Sequence, residues 1–310
     1  MPSLPSELTP AAVCAVVVTY NPDDASVECI RTIIEASAHT VIIDNCSSEQ
    51  CMQKLRQLQG EKTLVENTAN TGVAAGLNLG IQTAMDKGYQ WFLLFDQDTK
   101  VFPATIPSLI RVYADCFAEL GEKLGMLGSN FYHLLEDGAI VDGKVPLCHG
   151  KQWSVGDLII TSGTIISLKN FKVIGSFRED FFIDHVDHEY QLRAVHRGFL
   201  VARTALPLMI HRLGMLRTKR SFWVFGQKKM LSFYPPLRRY YQIRNFIVLA
   251  REYEKEFPSI ICYIRKSIRR ETVRALKYEG QFSRNLMSVL LALRHSQRGV
   301  TGKYNGSIAL

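Results

Sequence analysis

No stretch of the 310 residues approaches the ~20 consecutive apolar positions that a bilayer-spanning helix needs. Met1 to Pro10 shows no basic start followed by an apolar run, so no secretory signal is expected there. The seven cysteines include no Cys-x-x-Cys pair, and the nearest two, Cys46 and Cys51, have no His or Cys partners at zinc-site spacing. An odd number at irregular intervals argues for reduced thiols in a cytosolic protein rather than a disulfide framework. Neither an internal repeat nor a low-complexity tract is present. Gly72, Gly76 and Gly80 lie four apart, which fits neither the dinucleotide fingerprint nor a P-loop, since no Gly-Lys-Ser/Thr follows. NAD and ATP are therefore poor candidates as cofactors. That spacing on one helix face suits close packing against a sheet, or the approach of a ligand.

What remains is ordinary globular composition, 47% hydrophobic and 21% charged. The length suits one large α/β domain with an appendage. The net charge of +8 is unevenly spread: residues 212–310 hold 21 Lys+Arg and 5 Asp+Glu, whereas the preceding residues hold 16 and 24. A mildly acidic body with a basic arm is expected. Such an arm attracts phosphate, whether in anionic lipid headgroups, a lipid-diphosphate acceptor or nucleic acid. The plain alternative is a solvated basic helix pair.

Along the chain, Val13 to Thr19 is a short β-branched run that breaks at Asn21-Pro22, as a buried strand does. Asp23 or Asp24 can cap a helix carrying Val27, Ile30, Ile33 and Ile34. Val41 to Ile43 predicts a second strand, Ser47 or Ser48 a second helix through Leu58, and Leu64-Val65 a third strand. A helix through Met85 closing at Gly88 and a strand over Trp91 to Phe95 follow. Strands alternating with helices at this spacing predict βαβ units and a parallel sheet. Ligands of such sheets bind beyond the carboxyl ends of the strands, and Thr19-Tyr20-Asn21, Asp44-Asn45 and Asp96-Gln97-Asp98 all fall at such ends. From about Gly125 to Ser167 the pattern is irregular. Farther on, Tyr240, Ile243, Ile247 and Ala250 share a helix face that Pro258 ends or interrupts, and Leu286, Val289, Leu290 and Leu293 mark a later helix.

Asp96 and Asp98 place two hard oxygen ligands at a strand end, where they can hold Mg²⁺ or Mn²⁺ while substrate phosphates complete the shell. Asp184-His185-Val186-Asp187-His188-Glu189 crowds carboxylates beside histidines. Like charges at close range raise at least one carboxylate pKa, which suits a general base. Asp187 can also be a helix cap, and Glu189 and Arg193, four apart in favourable order, an ordinary ion pair. His211, taken alone, reads as structural.

These stretches together resemble family 2 glycosyltransferases, and within them the rhamnosyltransferases. They are VVVTYNP (Val16 to Pro22), VIIDNCSS (Val41 to Ser48), NTGVAAGLNLGI (Asn70 to Ile81), FDQDT (Phe95 to Thr99), FFIDHVDHEYQLRA (Phe181 to Ala194), IHRLG (Ile210 to Gly214) and PLRRYYQIRN (Pro236 to Asn245). The resemblance reaches to about Tyr253; the segment after about Pro258 matches nothing diagnostic. It implies a GT-A type open, Rossmann-like α/β fold with a mixed sheet flanked by helices. Residues 1–215 would be the nucleotide-sugar-binding and catalytic domain, and 216–310 a basic, mainly helical region.

The implied activity is inverting transfer of a sugar, L-rhamnose from dTDP-L-rhamnose, to a glycan or lipid-linked hydroxyl. By the same resemblance Thr19, Tyr20, Asn21, Asp44 and Asn45 surround the nucleoside. Asn70, Gly76, Gln97 and Arg193 join them as candidate substrate contacts, and Asp96 and Asp98 meet ribose, diphosphate and metal. His211 completes the metal shell. Asp187 is the base, tuned or positioned by Asp184 and Glu189. A cytoplasmic location with peripheral contact to an anionic membrane, rather than nucleic acid, is the expectation for the basic region. A metal-dependent hydrolase or nucleotidyltransferase, and a catalytically silent binding protein, are the competing classes.

Overall fold

The computed structural model describes residues 8–134, 140–142, 151–211, 215–220, 228–278 and 281–306. Arg212 to Gly214, the end of one stretch named above, lie outside them. Strands β1 (Val13–Thr19) and β2 (His39–Asp44) are joined by helix α1 (Asp24–Ala36). Asp23 caps that helix by accepting a hydrogen bond from the Ser26 amide at 2.8 Å. Next come α2 (Glu49–Gln57), β3 (Lys62–Glu66), α3 (Val73–Asp86) and β4 (Trp91–Asp96). The order β3-β2-β1-β4 is parallel throughout. Because β2 and β3 add on one side of β1 and β4 on the other, a crevice opens at the carboxyl ends of β1 and β4.

The second half adds the antiparallel strands that make the sheet mixed, as the resemblance implies. It comprises β5 (Thr99–Val101), α4 (Thr105–Leu120), β6 (Leu124–Leu134), β7 (Ile140–Asp142), β8 (Trp153–Val155), β9 (Thr164–Ser167), α5 (Leu168–Ile174), α6 (Val186–His196) and β10 (Leu200–His211). From β4 the sheet continues β9-β6-β10-β5. β9 runs antiparallel to both β4 and β6, β10 lies parallel to β6, and β5 lies antiparallel along β10. The open, mixed sheet flanked by helices is the one that the resemblance implies. The glycine-rich stretch that looked irregular contains β6, whose Gly125 and Gly128 have no room for a Cβ beneath Phe199 and Ile159.

Alternate residues of the strands feed two cores. Ala15, Val17, Ile42, Leu93 and Phe95 pack with α1, α2 and α4. Cys14, Val16, Val41, Ile43, Phe92 and Leu94 pack with α3 and α6 on the other face. Each fully buried Val, Ile or Phe contributes ~1.5–3 kcal/mol, so the sheet is anchored on both faces and its strand ends are rigid supports for loops.

The remaining elements are a hairpin of β11 (Met215–Arg220) and β12 (Lys228–Phe233) and helices α7 (Pro236–Tyr253), α8 (Pro258–Tyr278) and α9 (Phe282–Gln297). Pro258 begins a helix, where its missing N–H costs nothing. Phe246, Leu249 and Ala250 of α7, with Ile261 and Ile264 of α8, join the same core as α3 and α6. On α9 the buried positions are Asn285, Ser288, Ala292 and Ser296, whereas Leu286, Leu290 and Leu293 face outward.

Candidate active site

The parallel register aligns Thr19 with Asp44 and Val18 with Asp96, so three polar strand ends meet in one row. Thr19 Oγ1 donates to Asp44 Oδ1 at 2.8 Å, and Ser47 donates to the same carboxylate from Oγ (2.5 Å) and from its amide (2.8 Å). Asn21 takes φ +44, accepting from the Ser48 amide with Oδ1 and donating its own amide to Ser47 Oγ. Asn45 donates Nδ2 to Gly72 O at 3.0 Å and accepts from Asn67 Nδ2 and Thr71 Oγ1, both at 3.1 Å. Tyr20 exchanges backbone hydrogen bonds with the Gln97 amide group, and its ring is 50% exposed, a face open for stacking. Asn70 Oδ1 accepts from the Gly72 amide, tightening the turn into α3.

Gly76 lies in the interface between α3 and β1: a Cβ there would sit 2.7 Å from Val18 and 3.5 Å from Asn45 Nδ2. Its contribution is packing that seats Asn45, not a place in the cleft lining.

At the end of β4, Asp96 and Asp98 meet His211. Antiparallel pairing of β10 with β5 sets His211 opposite Thr99. His211 Nε2 lies 3.7 Å from Asp96 Oδ2 and Nδ1 3.5 Å from Asp98 Oδ1, and one ligand atom from each residue lies within 4.8 Å of the others. Two carboxylates and an imidazole are the donor set that Mg²⁺ or Mn²⁺ accepts. The group therefore fits a divalent metal. Thr99 Oγ1 shares hydrogen bonds with His211 Nδ1 (2.9 Å) and Ser162 Oγ (2.6 Å), and Ser162 Oγ accepts from the Asp96 amide. With Nδ1–H donating to Thr99, Nε2 keeps its lone pair, as metal ligation requires.

Although 38% of its side chain is open to the cleft, the protein around Asp96 removes water from most directions and pushes its carboxyl up to about 6. His211 opposes that rise, and the charges of Asp98 and Asp187 reinforce it. Asp187, in the first turn of α6, is thus within electrostatic reach of the metal-ligand group. It also adds to the rise at Asp184, which burial dominates and Arg238 opposes. Arg238 Nε donates to both Asp184 oxygens at 3.2 and 3.3 Å, and stacks on Tyr234. Asp187 Oδ1 accepts from the His188 amide at 2.8 Å.

The loop before α6 is strained. Phe182 (φ +64, ψ −62) forms a γ-turn closed by the Ile183 amide donating to Phe181 O at 2.7 Å, and Asp184 (φ +63) and His185 (φ +62) are left-handed. Each such residue costs about 1–3 kcal/mol and is kept only where the surroundings dictate it. Gly72, φ +92, has Phe182 O 2.5 Å from where a Cβ would be, and the Val73 amide donates to that carbonyl. The Asn70–Gly72 turn and the Phe182–His185 loop therefore share one contact.

Glu189 and Arg193, also expected in the site, bond to each other and to the surrounding fold. Glu189, 4% exposed, takes two hydrogen bonds from Arg193 at 2.9 Å, and Arg193 donates its other N–H groups to Ile174 O and Ser176 O. Tyr253 OH also donates to Glu189. With their polar atoms taken up in this way, the two lock α6 to α5 and α7 and do not present groups to substrate. In the opposite sense, Arg238, Thr99 and Ser162 were not marked as site residues. Arg238 carries a signal in the PLRRYY stretch and Thr99 in FDQDT; Ser162 carries none without the strand pairing.

Residues 14–118 match the family model "Glycosyl transferase family 2". Fold, site and this match together define a glycosyltransferase, similar over that segment to family 2. Over 250 residues it is 28% identical to the dTDP-rhamnosyl transferase RfbF of Shigella flexneri, covering 77% of this chain and 79% of that protein. Its fold is similar to that of TarS 1-349 from S. aureus, with a TM-score of 0.54 at 14% identity over 92% of this chain and 80% of that one. The same TarS segment in complex with UDP-GlcNAc gives 0.50 at 16% identity over 93% and 81%.

Proposed function

We propose that the chain transfers L-rhamnose from dTDP-L-rhamnose to a hydroxyl of a glycan or lipid-linked acceptor, with inversion at the anomeric carbon. The observation that carries this is the meeting of Asp96, Asp98 and His211, within electrostatic reach of Asp187, at the crevice of the sheet. Similarity to the Shigella enzyme supports the donor. Thr19, Tyr20, Asn21, Asp44 and Asn45 receive the nucleoside, Asn70 and Gln97 border it, and Asp96 faces ribose and diphosphate. A divalent metal, Mg²⁺ or Mn²⁺, held by Asp96, Asp98 and His211 supplies positive charge against the departing diphosphate.

Asp187 accepts the proton of the acceptor hydroxyl as that oxygen attacks the anomeric carbon from the face opposite the diphosphate. The new C–O bond forms as the bond to phosphate breaks, so no enzyme nucleophile takes part. Asp184, paired with Arg238, positions the neighbouring backbone and leaves Asp187 as the carboxylate for the proton.

Calorimetric binding of dTDP, UDP and GDP, with and without Mn²⁺, tests this on wild type and Asp98→Ala. Mn²⁺-dependent preference for dTDP, lost in the variant, is expected. Preference for another nucleotide would remove rhamnose from the proposal, and a folded protein binding none would remove the donor site.

We assign residues 1–215 to donor binding and catalysis and, within 216–310, the outward faces of α8 and α9 to contact with an anionic membrane surface at the cytoplasmic face. Among the described residues no helix is long and apolar enough to cross a membrane. The support is the outer face of α9, which exposes Phe282, Leu286, Met287, Leu290 and Leu293, beside exposed Lys266, Arg269, Arg270 and Lys277 on α8. Apolar side chains flanked by cations suit an anionic interface. Sedimentation with phosphatidylcholine vesicles, with and without phosphatidylglycerol, is expected to show binding only to the anionic ones, and loss of binding in Leu290→Glu/Leu293→Glu. Equal sedimentation with both vesicle types would overturn it.

A further inference from the structure

Helix α6 starts without a side-chain cap: its N-cap, His185, is left-handed and makes no capping hydrogen bond. The strained loop in front of it is held by two neighbouring residues of α7, both completely buried. Asn245 Nδ2 donates to Phe181 O and Ile183 O at 2.8 Å and to Asp184 O at 3.0 Å. Arg244 donates NH2 to Asp180 O and Phe181 O at 3.3 Å, NH1 to Gly302 O at 2.6 Å, and Nε to Asn245 Oδ1 at 2.9 Å. That last bond fixes which way the Asn245 amide points. Arg244 also stacks on Tyr240 and Tyr241. The partners of this buried cation are carbonyls, an amide oxygen and a hydroxyl, and burying a charge on such partners is costly unless the arrangement serves another purpose.

We propose that Asn245, oriented by Arg244, is a positioning residue that sets Asp184 and Asp187 against the acceptor. It gathers the carbonyl groups of Phe181, Ile183 and Asp184 in a loop that would otherwise relax, and so fixes where α6 begins and where its first-turn carboxylate points. The inference rests on the assignment of Asp187 as the base. A displacement of about 1 Å in such a group costs on the order of 100-fold in rate. Nucleotide binding at the ends of β1 and β2 lies on other elements and is left unchanged.

The test compares Asn245→Ala and Asn245→Asp with Asp187→Asn and the double variant Asn245→Ala/Asp187→Asn, each below its melting temperature. Two readouts are taken: hydrogen exchange of residues 181–189, and release of dTDP from dTDP-L-rhamnose by water, with dTDP affinity measured alongside. Faster exchange in residues 181–189 alone, dTDP affinity within about threefold of wild type, and turnover lowered about 30-fold or more are expected for Asn245→Ala. Asn245→Asp, which turns an oxygen toward the carbonyls, is expected to lose more. The double variant is expected to be no slower than Asp187→Asn, because Asn245 acts through that residue. Wild-type exchange over 181–189 in Asn245→Ala overturns the proposal whatever the donor. Wild-type turnover there beside an inactive Asp187→Asn overturns positioning and leaves the base in place. An active Asp187→Asn removes the base assignment and this inference with it.

Discussion

His211 Nδ1 lies 2.9 Å from Thr99 Oγ1, its partner across the β10–β5 ladder. A single hydroxyl thus holds the imidazole ring in place at a group of three metal-type ligands. Removing it in Thr99→Val keeps the shape and frees the ring. Mn²⁺ affinity, measured by titration calorimetry, is expected to fall about 10- to 100-fold, with a larger loss in His211→Ala. Unchanged affinity in Thr99→Val would remove the orienting role.

The Glu189–Arg193 pair predicts a stability defect without a site defect. In Glu189→Ala a partly buried guanidinium loses both bonds to its partner, which typically costs about 1.5–3 kcal/mol. Urea unfolding should show that loss, while dTDP affinity at low temperature stays as in wild type. A variant of normal stability with impaired nucleotide binding would return Glu189 to the site.

Burial, aided by the neighbouring His188 charge, holds His185 well below its usual pKa, so it is neutral in the folded protein at neutral pH. The unfolded chain protonates it near pH 6.5. Its contribution is therefore complete above that pH and is lost as the pH falls toward the depressed folded value, by up to about 1.4 kcal/mol per pH unit. Asp96 acts in the opposite sense between its unfolded value and about 6. The informative quantity is thus a difference: His185→Asn, which tolerates a left-handed backbone, should lose less stability than wild type between pH 7 and pH 5. Parallel curves would contradict this.

Cysteine reactivity should follow position. Burial pushes the Cys14 thiol up to about 12, and burial likewise raises Cys116. Cys46 is exposed, next to Asn45 of the proposed nucleoside pocket. Brief treatment with a maleimide at pH 7.5, followed by mass spectrometry, is expected to label Cys46 and spare Cys14 and Cys116. Bound dTDP should slow that labelling. Equal rates with and without nucleotide would move the pocket away from Cys46.

Much of this was legible in order of sequence separation. β1, β2 and β4 announce themselves as short apolar runs, and their polar ends converge because parallel strands in register bring like ends together. The antiparallel β9 and the His211–Thr99 pairing depend on strand order, which periodicity does not encode. On α9 the leucine spacing predicts a helix without saying which face packs, and the buried positions are Asn285, Ser288, Ala292 and Ser296. Small residues let two backbones approach closely, and hydrophobic spacing alone cannot distinguish that face from an outward apolar one. Glu189 and Arg193 were read both ways, and the spacing of an ion pair proved the better guide than proximity to Asp187.

The contact of Gly72 with Phe182 limits how this scaffold can be re-engineered. The turn that borders the nucleotide and the loop that leads to Asp187 occupy one another's space, so neither is an independent module. A chimera that imports a new donor-binding half from a relative must import the matching Phe182 region as well, or the graft will collide at Gly72.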